Sequence, residues 1–207
     1  MKPVKFVLIA LITCFSFIAA AAADGRTVVF LGDSLTDGYT LGSKFAYPEI
    51  IQRKLLAAGK KTRVINAGVS GDTMRDGLAR LDRYLKEEIA VFVVALGAND
   101  LFRNVPLDEM TLQLTEILTR VRKQQPKAKL VVIGMQDFVR RKSRGDAQLF
   151  EATFANSAKE FDALHVPFLL YGVANVSALN LKDGIHPNKK GQEKMAEMIW
   201  GHIFPLL

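Results

Sequence analysis

Cysteine is almost absent from this chain. The one present, Cys14, lies in an apolar stretch at the start. Removal of that stretch would leave none, which excludes disulfides, a thiol nucleophile and cysteine-ligated zinc from the remainder. Histidine is nearly as sparse: only His165, His186 and His202 could supply an imidazole. Linkers, internal repeats and low-complexity segments are missing from residue 24 onward. Strong charge concentration is missing too. The formal charge is +7, and +5 remains once Lys2 and Lys5 are removed. A nucleic-acid binder concentrates such charge among aromatics. Here the densest cluster is Arg140-Arg141-Lys142-Ser143-Arg144, with only Phe138 beside it. No nucleic-acid partner is expected. The cluster reads first as a solvated loop, and second as a peripheral contact for anionic lipid, polymer or substrate.

The opening stretch has three parts. Lys2 and Lys5 provide positive charge, Phe6 to Ile18 is apolar apart mainly from Thr13, Cys14 and Ser16, and Ala19 to Ala23 are small. This is the pattern of a secretory signal peptide cleaved before Asp24. A membrane anchor is the alternative, but the run is short for a span and no positive stop follows it. Residues 1–23 are therefore expected to be a leader and 24–207 a single domain, exported to the periplasm or beyond. With 207 residues, 49% hydrophobic and 24% charged, the chain is long and apolar enough to bury a sizeable core.

Short apolar runs alternate with helical patterns. Strands are predicted at Thr27–Leu31, Thr62–Asn66, Ala90–Leu96, Leu130–Ile133 and Pro167–Tyr171. Helices are predicted over Tyr47–Ala58, from Asp72 or Thr73 through Lys86, and over Asp108–Lys123, Ala147–Leu164 and Lys189–Ile203. In the first of these, Ile50, Ile51, Lys54, Leu55 and Ala58 would share one face. The strands are continuous apolar runs, the mark of a parallel sheet buried on both sides. Right-handed crossovers then give a three-layer α/β/α sandwich.

Polar residues gather where such strands end, and chemistry in open parallel sheets collects at those ends. Gly32-Asp33-Ser34-Leu35 follows the first strand, Asn66 to Thr73 the second, and Gly97-Ala98-Asn99-Asp100 the third; Asp183-Gly184-Ile185-His186-Pro187-Asn188 precedes the last helix. Ser34 is either a helix N-cap or a nucleophile in need of a base. His186 is the best base. Pro187 keeps it out of helical geometry, and Asp183 is close enough to hold one ring nitrogen. The alternative is a turn in which Asp183 and Asn188 bond backbone amides. His165 and His202 read as packing or surface residues. Gly71 could offer an unobstructed backbone N–H to an oxyanion, and Asn99 a side-chain N–H, with the Ser34 amide as a third donor. A simple turn at Gly71 and a helix cap at Asn99 are the plainer readings.

Taken together, these four blocks resemble the SGNH hydrolase family, also called GDSL esterases. Ser34 matches the serine of Gly-Asp-Ser-Leu, Gly71 the glycine of the second block, Asn99 the asparagine of the third, and Asp183 and His186 the acid and base of the last. The resemblance covers essentially the whole chain after the leader, and is nearest to the bacterial secreted arylesterase/thioesterase/lysophospholipase group. It implies a flavodoxin-like five-stranded parallel sheet and a monomer that acts on small acyl esters, thioesters or lipids. It implies catalysis by Ser34, Asp183 and His186, an oxyanion hole of Ser34, Gly71 and Asn99, and no metal or cofactor. The departure follows strand four, where Gln136 to Arg144 replaces a Pro-Asn-Tyr-Gly-like loop. A carbohydrate O-acetyl esterase and a non-catalytic binding protein are the other functions expected of such a chain.

Overall fold

A computed structural model describes residues 27–138 and 143–207. The expected leader 1–23, Cys14, Arg140, Arg141 and Lys142 lie outside the described residues.

Five parallel strands form one sheet in the order β2-β1-β3-β4-β5. They are β1 (Thr27–Gly32), β2 (Arg63–Gly68), β3 (Ile89–Ala95), β4 (Lys129–Ile133) and β5 (Leu164–Val166). All of β1 and β3 is buried, as their unbroken apolar runs require. Helices cover the sheet: α1 (Ser34–Asp37), α2 (Tyr47–Ala57), α3 (Met74–Ala79), α4 (Ala98–Phe102), α5 (Leu107–Gln124), α6 (Arg144–Glu160) and α7 (Lys189–Ile203). The predicted α/β sandwich and flavodoxin-like sheet are both present.

Helix faces follow from residue spacing. Met110, Leu114, Ile117, Leu118 and Val121 of α5 are buried at i, i+4, i+7, i+8 and i+11. In α2 the buried line is Tyr47, Ile51 and Leu55. Lys54 lies off that line and pairs instead with Glu197 at 2.7 Å, so the expected face was rotated by part of a turn. The helix expected through Lys86 ends at Ala79 and is followed by a 3₁₀ turn over Leu81–Tyr84. Its N-cap is Thr73, in a capping box with Asp76.

The fifth strand is displaced from its predicted place. Leu164–Val166 pairs with Val131–Ile133, whereas Pro167 to Tyr171 turns away after it. Pro167 lacks the N–H that a ladder needs. Leu169 and Leu170 are fully buried all the same, so their hydrophobicity reports packing beneath a turn.

The sheet order reverses at β1, since β2 lies on one side of it and β3 on the other. Ligands of open α/β sheets bind at such a switch point, outside the carboxyl ends of the strands. Gly32 pairs with both Gly68 and Ala95, so three strands end level and release their loops side by side. The loops are also close. A Cβ on Gly68 would lie 2.3 Å from the Asp37 amide nitrogen, so only glycine lets β2 end this near α1.

Candidate active site

Ser34 is the first residue of α1, and Asp33 is its N-cap, accepting a 2.9 Å bond from the Leu35 amide. The cap role therefore falls to Asp33, and the Ser34 hydroxyl is available for other work. Ser34 Oγ lies 3.0 Å from Nε2 of His186. His186 Nδ1 lies 2.8 Å from Asp183 Oδ2. With the proton on Nδ1 donated to the carboxylate, the other nitrogen accepts from the serine hydroxyl. The contacts that both sequence readings of the last block require are present together. Asp183 Oδ1 accepts from the amides of Ile185 and His186 at 2.9 and 3.0 Å, and Asn188 caps α7 through the Gly191 amide. The capped turn is what aims the ring. Tyr39 lies against the imidazole, its ring tilted by 31° with centroids 4.2 Å apart.

Partial burial pushes the Asp183 carboxyl up, but the bonds from the His186 amide and ring and the Ile185 amide outweigh it. Together they hold the group below the usual carboxylate range.

Gly71 is the third residue of a turn closed by the Asp72 amide on the Val69 carbonyl at 3.1 Å. Its φ of +91° is the left-handed conformation that such a turn demands there. Asn99 does not cap α4, whose N-cap is Gly97. One hydrogen of its amide goes to the Asp72 carbonyl at 2.9 Å, and a primary amide has a second to give. The loops that carry Ser34, Gly71 and Asn99 leave β1, β2 and β3 at the same level.

Next to Ser34 is a pocket of about 140 Å³ lined by Leu35, Ala98, Asn99, Phe102, Phe138, Ile185 and His186. Its wall is mainly apolar, and its polar members are Ser34, Asn99 and His186. Of the basic cluster, Arg144 is described; it is exposed and opens α6 behind the cap residue Ser143. His165 belongs to β5, and His202 lies in the last turn of α7. Among the described residues no group of three His, Cys, Asp or Glu side chains could hold a metal ion.

Two supporting residues, Gln192 and Asp33, were given no role from the sequence. Gln192, buried on α7, accepts from the Tyr47 amide at 2.8 Å and donates to the Leu35 carbonyl at 3.1 Å, so the last helix grips the turn that bears Ser34. Asp33 is fully buried, and its Oδ2 has no hydrogen-bond partner among the described residues. Burial pushes its carboxyl up, the Leu35 amide pulls it down, and the nearby Asp100 and Asp72 push it up again, to about 7. A carboxyl with its folded pKa raised favours the protonated form. Its stabilising contribution is complete below the unfolded value of 3.8 and is lost as pH rises through about 7. Asp33→Asn keeps an acceptor for Leu35 and removes the titration. It is expected to melt higher than the parent at pH 8, with the difference closing toward pH 4. Parallel melting curves for the two proteins across that range check this; a constant difference would place the titration elsewhere.

Comparisons with known proteins bear on the family and the fold. The model of the GDSL-like lipase/acylhydrolase family matches residues 30–194. The chain is 35% identical over 189 residues to thioesterase 1/protease 1/lysophospholipase L1 of Escherichia coli, covering 91% of this chain and 87% of that protein. It is 33% identical over 189 residues to esterase TesA of Pseudomonas aeruginosa, covering 89% of this chain and 91% of that one. A crystal structure of TesA superposes with a TM-score of 0.82 at 31% identity, covering 88% of this chain and all of that one. With the family model spanning residues 30 to 194, the chain belongs to the GDSL-like lipase/acylhydrolase family and is an acyl-ester hydrolase.

Proposed function

We propose that Ser34, His186 and Asp183 form a catalytic triad that hydrolyses acyl esters and thioesters through an acyl-serine intermediate. The observation that carries this is the unbroken chain of contacts from Ser34 Oγ to His186 Nε2 at 3.0 Å and from Nδ1 to Asp183 at 2.8 Å. His186 takes the hydroxyl proton as Ser34 attacks the acyl carbon. Asp183 holds the ring in the required tautomer and stabilises the imidazolium that forms. The tetrahedral oxyanion is met by the backbone amides of Ser34 and Gly71 and by the Asn99 side chain. His186 then protonates the leaving alcohol or thiol, and a water, activated by the same ring, releases the acid.

The wall made by Leu35, Ala98, Phe102, Phe138 and Ile185 suits an acyl chain, since such a surface gains most by burying apolar atoms. A pocket of about 140 Å³ favours short acyl groups over long ones. The relatives named as an esterase and as a thioesterase/lysophospholipase extend the leaving group to thiols and lysolipid alcohols. The chain acts after export, with residues 1–23 removed. Among the described residues no helix is long and apolar enough to cross a membrane. Arg140, Arg141, Lys142 and Arg144, which follow Phe138 in sequence, offer a peripheral contact for anionic lipid or polymer.

The test is a ladder of p-nitrophenyl acetate, butyrate, octanoate and palmitate, run beside the matching acyl-CoA thioesters and an acetylated xylo-oligosaccharide. Turnover of simple esters and thioesters, greatest for the short chains, is expected. Activity confined to the acetylated glycan would replace this reading with carbohydrate O-deacetylation.

A further inference from the structure

Arg80 is the most buried cation in this part of the molecule, with its side chain only 7% exposed, and the reaction as described makes no use of it. It terminates α3 and spreads its guanidinium over three acceptors. Nε donates to Asp72 Oδ2 at 2.5 Å, Nη2 to the Gly32 carbonyl at 3.0 Å, and Nη1 to the Tyr84 hydroxyl at 3.0 Å.

Two of those acceptors belong to the segments that carry the oxyanion donors. Gly32 ends β1, two residues before Ser34. Asp72 directly follows Gly71 and closes its turn. Asp72 is also the residue whose carbonyl receives the Asn99 amide at 2.9 Å. The Gly32 carbonyl accepts the Val69 amide as well, at 3.0 Å, so the turn is tied to the strand end at both of its shoulders. One planar cation thus sets the distance between the β1 end and the Gly71 turn, and through Asp72 it fixes where Asn99 can lie. A guanidinium can do this because its donors point in fixed directions; an ammonium is a point charge with no such fork.

We propose that Arg80 is a positioning residue that holds the Ser34, Gly71 and Asn99 donors at the spacing the tetrahedral intermediate requires. It touches no substrate atom. The proposal rests on the triad reading above, because an oxyanion hole has meaning only beside an attacking serine.

The test is a double-mutant cycle between Arg80→Lys and Asn99→Ala, read by kcat and KM on one activated ester, with a melting curve for each variant. Lysine keeps the charge beside Asp72 but cannot span both acceptors in one plane. A misplacement of reacting groups by about 1 Å can cost on the order of 100-fold. R80K is therefore expected to lose about 10- to 100-fold in kcat with KM little changed, while remaining folded at the assay temperature. Asn99→Ala, which costs roughly 100- to 1,000-fold in an intact hole, is expected to cost less than about 10-fold in the R80K background. A residue that only supports the fold would leave that cost undiminished, since independent sites add. An undiminished cost, or an R80K kcat within about twofold of the parent, overturns the proposal. If R80K melts below the assay temperature, D72N/R80Q, which leaves no unpaired charge, takes its place in the cycle and is judged by the same two criteria. The proposal and the triad reading fail separately. If fluorophosphonate does not label Ser34 in the parent protein, the triad falls; if it does and the cycle is additive, only the role of Arg80 falls.

Discussion

Ser34→Ala is expected to melt with the parent protein, to keep only a small residue of the parent's ester hydrolysis, and to take no covalent label from a fluorophosphonate. The first expectation follows from where the helix cap lies. The bond that starts α1 is donated by the Leu35 amide to Asp33, so among the described residues removal of the hydroxyl costs its contact with His186, a partly exposed group. A net hydrogen bond of this kind contributes about 1 kcal/mol. The catalytic expectation follows from the absence of any substitute. His186 would still be aligned by Asp183, but the oxygen that forms the acyl bond would be gone, leaving only what the oxyanion donors and binding achieve with water. Equal labelling of parent and variant, read by intact-mass spectrometry, would remove Ser34 from the nucleophile's place.

Asn99→Ala is expected to reduce kcat by roughly 100- to 1,000-fold, the usual cost of deleting one oxyanion donor, with KM changing by only a few-fold. The asymmetry is diagnostic. A donor that engages the tetrahedral oxygen more strongly than the ground-state carbonyl is felt in turnover and hardly in binding. Two features of the residue protect the fold against the change. It is only partly buried, and α4 is not capped by its side chain. The bond it loses to the Asp72 carbonyl leaves that acceptor unpaired, so a lower melting temperature by a few degrees is consistent with the assignment. Steady-state kinetics with a circular-dichroism melt check both parts; a kcat equal to that of the parent would exclude Asn99 from the site.

How much of this was legible in the sequence depends on how local the determinant is. The closing helix Lys189–Ile203 was found with its observed bounds, because a cap residue, Asn188, and an apolar periodicity lie within one short window. Strands β1, β3 and β4 came from runs that need no partner to be recognised. The fifth strand failed for the opposite reason. Leu164–Val166 is a three-residue edge strand beside β4, defined by its neighbour and not by its own composition. The more apolar Pro167–Tyr171 run is buried in a turn, and nothing local distinguishes the two. At the site, Ser34, Asn99, Asp183 and His186 were visible as polar residues at a strand end or in a proline-bound loop, and Gly71 as a glycine in the loop after β2. Arg80 was not. In sequence it is one cation on a helical pattern that was expected to run to Lys86; only the early end of α3 at Ala79 and the fold of the Gly71 turn bring Asp72 and the Gly32 carbonyl to it. Gln192 is a similar case, since its partners are 145 and 157 residues away. The residues proposed to act on substrate carry a local signature, whereas Arg80 and Gln192 are defined by contacts made across the chain.

The level ends of β1, β2 and β3 also separate two kinds of inheritance. The groups of the proposed triad and oxyanion hole descend from those three strands and from the loop before α7, and their spacing is set by paired registers and by a glycine with no space for a methyl group. Phe138, part of the apolar wall, descends from the loop after β4, on the far side of β3 from the serine. Exchanges at Phe138 are expected to reshape what fits beside Ser34 while the paired ends of β1, β2 and β3 stay as they are. A library confined to residues 136–146 would sample substrate preference at nearly constant chemical competence, the condition under which new specificities can be selected one substitution at a time.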